Sequence, residues 1–419
     1  MEFIADFHIH SKYSRATSRN MDVKHLAEWA KLKGITLIGT GDFTHHLWLE
    51  ELKHNLEDLG NGLFKYPACR QAGQDVYFIL TSEISSIYSK RGKTYRIHNM
   101  VFSPSFKTTD KINEVLSRQG NLASDGRPIL GLDAEELARI VFDIDENCMV
   151  VPGHIWTPWF SLFGSMSGFD RIADCFENQT PKIFALETGL SSDPAMNWRL
   201  SALDKFTLIS NSDSHSPSKI GREANVFDCE LDYQTIREVL KTKDKKRFLY
   251  TIEFFPQEGK YHFDGHRLCG VRFSPSETRQ NNGRCPKCGK PITVGVMNRV
   301  EQLADRPEGF TPPNAIPYKN LIPLDEIIAE AKGVNKGSVA VERDYRSCVA
   351  KFGTELEILL KASREDLLKG LPPRIAEGVL RVREGKVDIK AGFDGEYGII
   401  SIFGEEEKQD RAEEQLKLF

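Results

Sequence analysis

Eight side chains able to bind a divalent cation, His8, His10, Asp42, Glu83, His98, His154, Asp213 and His215, recur at or beside short apolar runs in the first half of the chain. Two spacings are informative, the His-x-His of His8 and His10 and the Asp-x-His of Asp213 and His215. Alternate residues of a strand share one face, so each pair brings two ligands to one place without a special turn. Imidazole ligands fit zinc best, and mixed oxygen and nitrogen sets also accept Mg²⁺ or Mn²⁺. Such a centre can hydrolyse a phosphodiester when ions about 4 Å apart divide the work, one generating hydroxide and another offsetting charge on the phosphate and leaving oxygen. Asp213, at its strand end, and Glu83 are the ligands on which that activity is expected to depend. A lone buried His or Asp in a large α/β domain is more often hydrogen-bonded scaffold, and the two paired spacings argue against that here. His45, His46 and His54 lack such placement and are read, with His25, as structural.

The runs are "FIADFHIH", "ITLIGTGDF", "VYFILTSEIS", "HNMVFS" opened by His98, "MVVPGHI", "IFALETGL" and "FTLISNSDSH". They are rich in β-branched and aromatic residues and several alternate with helical stretches, which predicts parallel strands covered by helices. In one such helix Asp22 is the N-cap, Val23, Leu26, Ala27 and Ala30 form the buried stripe, and Gly34 ends it. Seven runs in the first 215 residues suit a closed βα barrel with its site at the C-terminal strand ends.

With 419 residues the chain can hold two or three domains, and its net charge of -4 excludes a globally basic nucleic-acid binder. The local basic group Lys90, Arg91, Lys93 and Arg96 reads as a solvated loop or a nucleic-acid contact. No signal peptide and no apolar run of roughly 20 residues is visible, so a cytoplasmic, nucleoid-associated protein without membrane contact is expected. Cys69, Cys148, Cys175, Cys229 and Cys348 follow no motif and read as free thiols.

A second constellation joins His266, Cys269, Cys285 and Cys288 as H-x2-C, fifteen residues, C-x2-C, a spacing for one structural zinc, with His262 as an alternative fourth ligand. The Pro-rich "RPEGFTPPNAIP" precedes helices marked by Leu324, Ile327, Ile328 and Ala331, closed by Gly333, and by Leu356, Leu359 and Leu360. "DLLKGLPPRIAEGVLRVREGKV" reads as helix, turn, helix, either packed core or a phosphate contact using Arg374, Arg381 and Arg383. The expected organisation is a barrel over 1–250, a zinc module over 251–310, a helical DNA-binding region over 311–400 and a flexible tail over 401–419. The tail residues Gln415, Leu416, Lys417, Leu418 and Phe419 resemble the Gln-Leu-x-Leu-Phe peptide that bacterial proteins insert into the replication sliding clamp.

By the order and context of "DFHIHSKYS", "GTGDFTH", "TSEIS", "VPGHI" and "SNSDSH", the first ~250 residues resemble the PHP superfamily of phosphoesterases. With the zinc module and helical region, nearly the whole chain resembles the endonuclease Q family. That resemblance implies a distorted seven-stranded βα barrel and a DNA repair endonuclease nicking 5′ to uracil, hypoxanthine, xanthine or abasic sites in duplex DNA. It implies that His8, His10, Glu83 and Asp213 hold one metal, that Glu83, His98 and His154 surround a second, and that Asp42 and His215 fall at a third. Ala16 stands where many PHP phosphatases have a further histidine, so two or three ions (Zn, Mn or Mg) are expected. A base flipped from the duplex needs a reader, and Ser191 and Asn211 are the candidates. Trp156, Trp159 and Phe160, with Phe163, suggest a base-stacking surface, with Tyr13 and Arg15 close by. A histidinol-phosphatase-like phosphatase would share the metals, and a non-catalytic clamp-tethered DNA module would share the tail.

Overall fold

A computed structural model describes residues 1–67, 75–404 and 407; Cys69 and the clamp-like peptide Gln415 to Phe419 lie outside them. Of the strands in the first half, seven carry the runs around the candidate ligands: β1 (Glu2–Asp6), β2 (Leu37–Gly39), β3 (Tyr77–Lys90), β4 (Lys93–Ser103), β5 (Met149–Pro152), β6 (Ala185–Glu187) and β7 (Thr207–Ile209). Each sends alternate residues into one apolar cluster, among them Phe3, Ala5, Leu37, Ile79, Met100, Phe102, Met149, Val151, Ala185 and Ile209, the period of two that a strand imposes. The fold is mixed α/β, with β1 to β5 in an eleven-stranded sheet and β6 paired with β7. Backbone bonds join these pieces: Ile155 N donates to the Glu187 carbonyl at 3.1 Å and His10 N to the Ser214 carbonyl at 2.9 Å. The Val23–Lys33 helix is capped by Asp22, whose side chain accepts from His25 N, and ends at Gly34 with φ 91.

The strands are not uniformly parallel. β1 and β2, β2 and β3, and β6 and β7 pair in parallel, whereas β4 runs antiparallel to both β3 and β5. The cause is the two-residue link Arg91–Gly92, with φ 52 and 79, a hairpin turn that only antiparallel neighbours can use. His98 consequently sits inside β4, opposite Ser85, rather than opening a strand.

The 311 boundary cuts through a connected structure. β8 (Ala224–Asp228) pairs with β1 and with β9 (Phe248–Glu253), and β10 (Tyr318–Asn320) adds to β9. Farther on, the Lys33 ammonium meets Glu355 at 2.6 Å in a buried pair, and Tyr345 donates to the same carboxylate. The helix Leu324–Lys332 ends at Gly333 as its pattern predicts, but Leu359 and Leu360 lie in a π-helical turn, Glu357–Lys361. Arg383 donates to the carbonyls of Ile358, Leu359 and Ala362 there, Arg381 pairs with Glu377 and Glu407, and Arg374 stacks 4.0 Å from the Phe403 ring. These arginines knit the helical unit together, which explains the segment without a phosphate.

Two buried acids make stability pH-dependent. Burial, with Glu253 adding to it, raises Glu223, and burial, with Asp193 adding to it, pushes Glu253 up to about 8. Their native protons are released on unfolding, so the unfolded state binds fewer protons from the ordinary glutamate range up to about 8 and stability falls across that window. Glu253→Gln should therefore raise the melting temperature by several degrees at pH 8 and by much less at pH 5, read by calorimetry.

Candidate metal centre

Glu83, fully buried in β3, has one carboxylate oxygen for each of two ligand groups. Its Oε2 lies 3.5 Å from His8 Nε2 and 3.3 Å from His10 Nε2, and His10 Nε2 is 3.0 Å from Asp213 Oδ1. Its Oε1 lies 2.6 Å from His98 Nδ1 and 3.0 Å from His154 Nε2. The ligand atoms of His8, His10 and Asp213 fall within 4.8 Å of one another, as do those of Glu83, His98 and His154. His8 Nε2 is buried with no hydrogen-bond partner, an open valence toward the first group, so the residues fit divalent cations.

Sequence and backbone together aim these side chains. Asp42, His154 and Asp213, each just past a strand, have φ of 51, 29 and 46, left-handed values that Asp and His tolerate better than most residues. Such strain persists where the surrounding structure enforces it, often at functional sites. Gly189 is part of that enforcement, because a Cβ there would stand 2.4 Å from the His154 Cβ.

Glu187, at the end of β6, is the residue whose role the sequence left unassigned. Both its oxygens are 3.0 Å from His8 Nδ1, Oε2 accepts from His154 N at 2.7 Å, and Oε1 accepts from Asn211 Nδ2 at 2.8 Å. It fixes the His8 tautomer and so presents Nε2 to an ion. Glu187→Gln should weaken metal affinity by roughly 10- to 100-fold with the fold retained, as measured by titration of the metal-free protein with Mn²⁺.

Among the described residues, no group of three or more converging ligand atoms includes Asp42 or His215, although both adjoin His10. Asp42 Oδ1 is 3.1 Å from His10 Nδ1, while Oδ2 accepts from Ser11 N, Ser11 Oγ and Ser14 Oγ at 2.6, 2.7 and 2.8 Å. Asp42 orients His10, and Gly126 packs so closely that a Cβ would come 2.3 Å from Oδ2. His215 is tied through Nδ1 to the Asp213 carbonyl at 3.0 Å. Electrostatics follow this layout. Burial opposes charge on His8 and His10, but Glu187 and Glu83 beside the first, and Asp42 and Asp213 beside the second, hold both well above the usual imidazole range. Burial opposes ionisation of Glu83 too, yet His98, Arg127 and His8 hold it well below the usual range. Cations arriving here would displace protons, which makes their binding pH-dependent.

Comparison with known proteins follows from this geometry. A family model for the MJ0043 C-terminal domain matches residues 323–386. The uncharacterized protein MJ0043 of Methanocaldococcus jannaschii is 34% identical over 66% of this chain, which covers 36% of that longer protein. The uncharacterized protein YqxK of Bacillus subtilis is 30% identical over 94% of this chain and 98% of its own length. The crystal structure of the lesion-specific endonuclease PfuEndoQ from Pyrococcus furiosus superposes with TM-score 0.84 at 32% identity, covering 96% of this chain and 95% of that one. Endonuclease Q in complex with a 27-mer duplex carrying an abasic lesion at the active site gives 0.83 at 32% identity, covering 97% and 98%.

The chain belongs to the endonuclease Q family.

Around the centre of this endonuclease Q family member, the other expected residues divide. Ser191 lines a cavity of about 800 Å³ together with Thr157, Trp159, Lys219, Arg222 and Glu258. Asn211 does not reach it: the residue is fully buried, its amide donating to Glu187 and its carbonyl accepting from Phe7 N and Asn225. Trp156 is likewise core, its indole N–H bonded to Asn197 and its ring packed on Phe163. Trp159 is exposed and meets Tyr261 at the cavity wall, and Phe160 packs 4.8 Å from His98. Tyr13 is held by Glu51 and stacks on His45, while Arg15 is exposed beside Asp125. Of the basic loop, Lys90 pairs with Asp133 and Glu177, Lys93 donates to the Gly168 carbonyl, and Arg96 lies over Phe160. Arg127 is the unforeseen cation, 3.1 Å from Glu83 Oε2 and partly exposed.

Farther away, His266, Cys269, Cys285 and Cys288 bring their ligand atoms within 4.8 Å of one another. His262 stays apart, buried against the cavity. The backbone amides of Lys287 and Cys288 outweigh burial and draw the Cys285 thiol below its usual value, which favours the thiolate a metal requires.

Proposed function

We propose that this chain is a metal-dependent DNA endonuclease that hydrolyses the phosphodiester 5′ to a deaminated base (uracil, hypoxanthine or xanthine) or an abasic site. The carrying observation is that a two-part ligand cluster adjoins a cavity with room for a base. Thr157 Oγ1 is 3.1 Å from His154 Nδ1 and also lines that cavity, and Arg222, another lining residue, donates from Nε to the Ser212 carbonyl beside Asp213. The full-length likeness to an endonuclease Q bound to an abasic duplex supports the same reading.

In this account the seven strands form a closed PHP-type βα barrel. Two divalent ions fit, one held by His8, His10, Glu83 and Asp213 and one by Glu83, His98 and His154. When bound, they would activate water and offset charge on the phosphate and leaving oxygen. Glu187 and Asp42 hold the histidines in the tautomers that ligation needs. Arg127 offsets the charge of Glu83 and, being partly exposed, would stand where a scissile phosphate approaches the ligand cluster. The lesion base leaves the stack, at a cost that is least for a mismatched base, and enters the cavity past Trp159 and Ser191. Lys219 and Arg222 can only donate hydrogen bonds, which favours a carbonyl over an amine. His266, Cys269, Cys285 and Cys288 would hold a zinc ion that braces the segment next to the Tyr261–His262 wall, and Gln415 to Phe419 would tether the enzyme to a sliding clamp. Deleting those five residues is expected to abolish clamp binding and leave nicking intact.

The test is nicking of a labelled duplex with one uracil by purified protein and Mn²⁺, with the undamaged duplex spared. Hydrolysis of p-nitrophenyl phosphate without nicking of either duplex would show a small-molecule phosphatase instead.

A further inference from the structure

Among the described residues, Glu258 is a carboxyl with no bonded partner in a cavity where Lys219, Arg222, Glu326 and Lys336 each have one. It ends the Pro256–Glu258 turn, whose backbone is pinned by Gly398 N donating to the Glu258 carbonyl at 3.0 Å. Among the described residues its carboxyl has neither hydrogen bond nor ion pair. The charges facing it come from three other segments, and all line the same cavity: Lys219 and Arg222 past β7, Glu326 on the Leu324–Lys332 helix, and Lys336 beyond it. Lys219 is paired with Asp325 and Glu326, Lys336 with Glu326, and Arg222 is bonded to the Ser212 carbonyl. Lys260 lies over the rings of Tyr261 and Tyr397.

Deaminated bases share one feature that a carboxylic acid matches. Uracil, hypoxanthine and xanthine each carry a ring N–H beside a ring C=O, a donor next to an acceptor. A neutral acid presents the complementary pair, an O–H next to a C=O, and closes two hydrogen bonds on that edge. A carboxylate can only accept, so it keeps the N–H and repels the carbonyl oxygen.

We propose that Glu258 holds the flipped base, donating its O–H to the ring carbonyl and accepting from the adjoining ring N–H. Burial, reinforced by Glu326 and only partly opposed by Lys336, Lys219 and Arg222, pushes the Glu258 carboxyl up to about 8. The acid form therefore prevails at neutral pH, and capture of a base weakens as pH rises past that value. An abasic site offers no base, so its cleavage does not pass through this contact.

This inference rests on the endonuclease reading, and the abasic duplex separates the two. The full-length protein with Mn²⁺ is assayed on uracil, hypoxanthine and abasic duplexes between pH 6.5 and pH 8.5. The ratio of kcat/KM for each base to that for the abasic duplex should fall roughly three- to fivefold over the range, the loss of about one hydrogen bond. In Glu258→Gln, whose amide donates and accepts at every pH, that ratio should be flat. Equal declines in both proteins, which would place the titration on the DNA base, or a flat ratio in the wild type, overturn the assignment. Failure to nick any of the three duplexes overturns the endonuclease reading, and this inference with it.

Discussion

Replacing Glu83 by Gln should cut nicking of a lesion duplex by about three orders of magnitude, since each tenfold is ~1.4 kcal/mol and a bridged metal pair supplies several. Glu83 faces the ring nitrogens of both ligand groups, through Oε2 to His8 and His10 and through Oε1 to His98 and His154. An amide offers a single acceptor oxygen and turns its NH₂ toward one of the groups. Metal content by mass spectrometry should fall below that of the wild type, while the circular dichroism spectrum is unchanged. A folded Glu83→Gln protein with full metal content and full activity would remove the bridge from the mechanism.

Cys285→Ala should have the second largest effect, through the fold rather than the chemistry. The module around residues 264–294 has its own apolar cluster of only Val271, Cys285 and Ile292 as fully buried members. A core that small needs a staple, and structural zinc supplies on the order of 10 kcal/mol in small zinc domains. Part of its anchorage is Asp264, which accepts from Gly295 N at 2.6 Å, Asn298 Nδ2 and Thr278 Oγ1, and part is Asp394, which accepts from Arg267 N and Thr293 Oγ1. With the staple gone, hydrogen exchange should lose protection over 264–294 and persist in β1 to β5. Tyr261 and His262, which wall the cavity, adjoin that segment, so lesion nicking should fall by more than tenfold although every catalytic ligand is intact. Undiminished protection over 264–294 in the zinc-free variant would refute the stapling role.

Much of this centre was legible because strand geometry is local. His8 with His10 announces its shared face by spacing alone, and H-x2-C with C-x2-C likewise; the choice of His266 over His262 required the strand pairing that sets Gly265 opposite Arg272. Glu187, Asp42 and Arg127 act through partners far away in sequence, and no local pattern distinguishes a ligand from the carboxylate that orients one. Asp42 meets His10 through one oxygen and Ser11 and Ser14 through the other, contacts that its own run does not announce. The aromatic run after His154 divides for the same reason: Trp156 and Phe163 turn inward where Asn197 offers an acceptor, and Trp159 turns out. The reversal of β4 did have a local sign, the Arg91–Gly92 link, which the parallel reading passed over. The cavity carries the least sequence signal of all, since Ser191, the pair Lys219 and Arg222, and Glu258 come from three separate loops.

The most direct measurement is to map the break in an end-labelled duplex containing one uracil, with Mn²⁺ present and with metal removed by chelation. The account predicts a single nick on the 5′ side of the uracil, absent from the undamaged duplex, absent after chelation and absent in Asp213→Ala. A break at any other position, an equal break in undamaged DNA, or full activity in Asp213→Ala would contradict it.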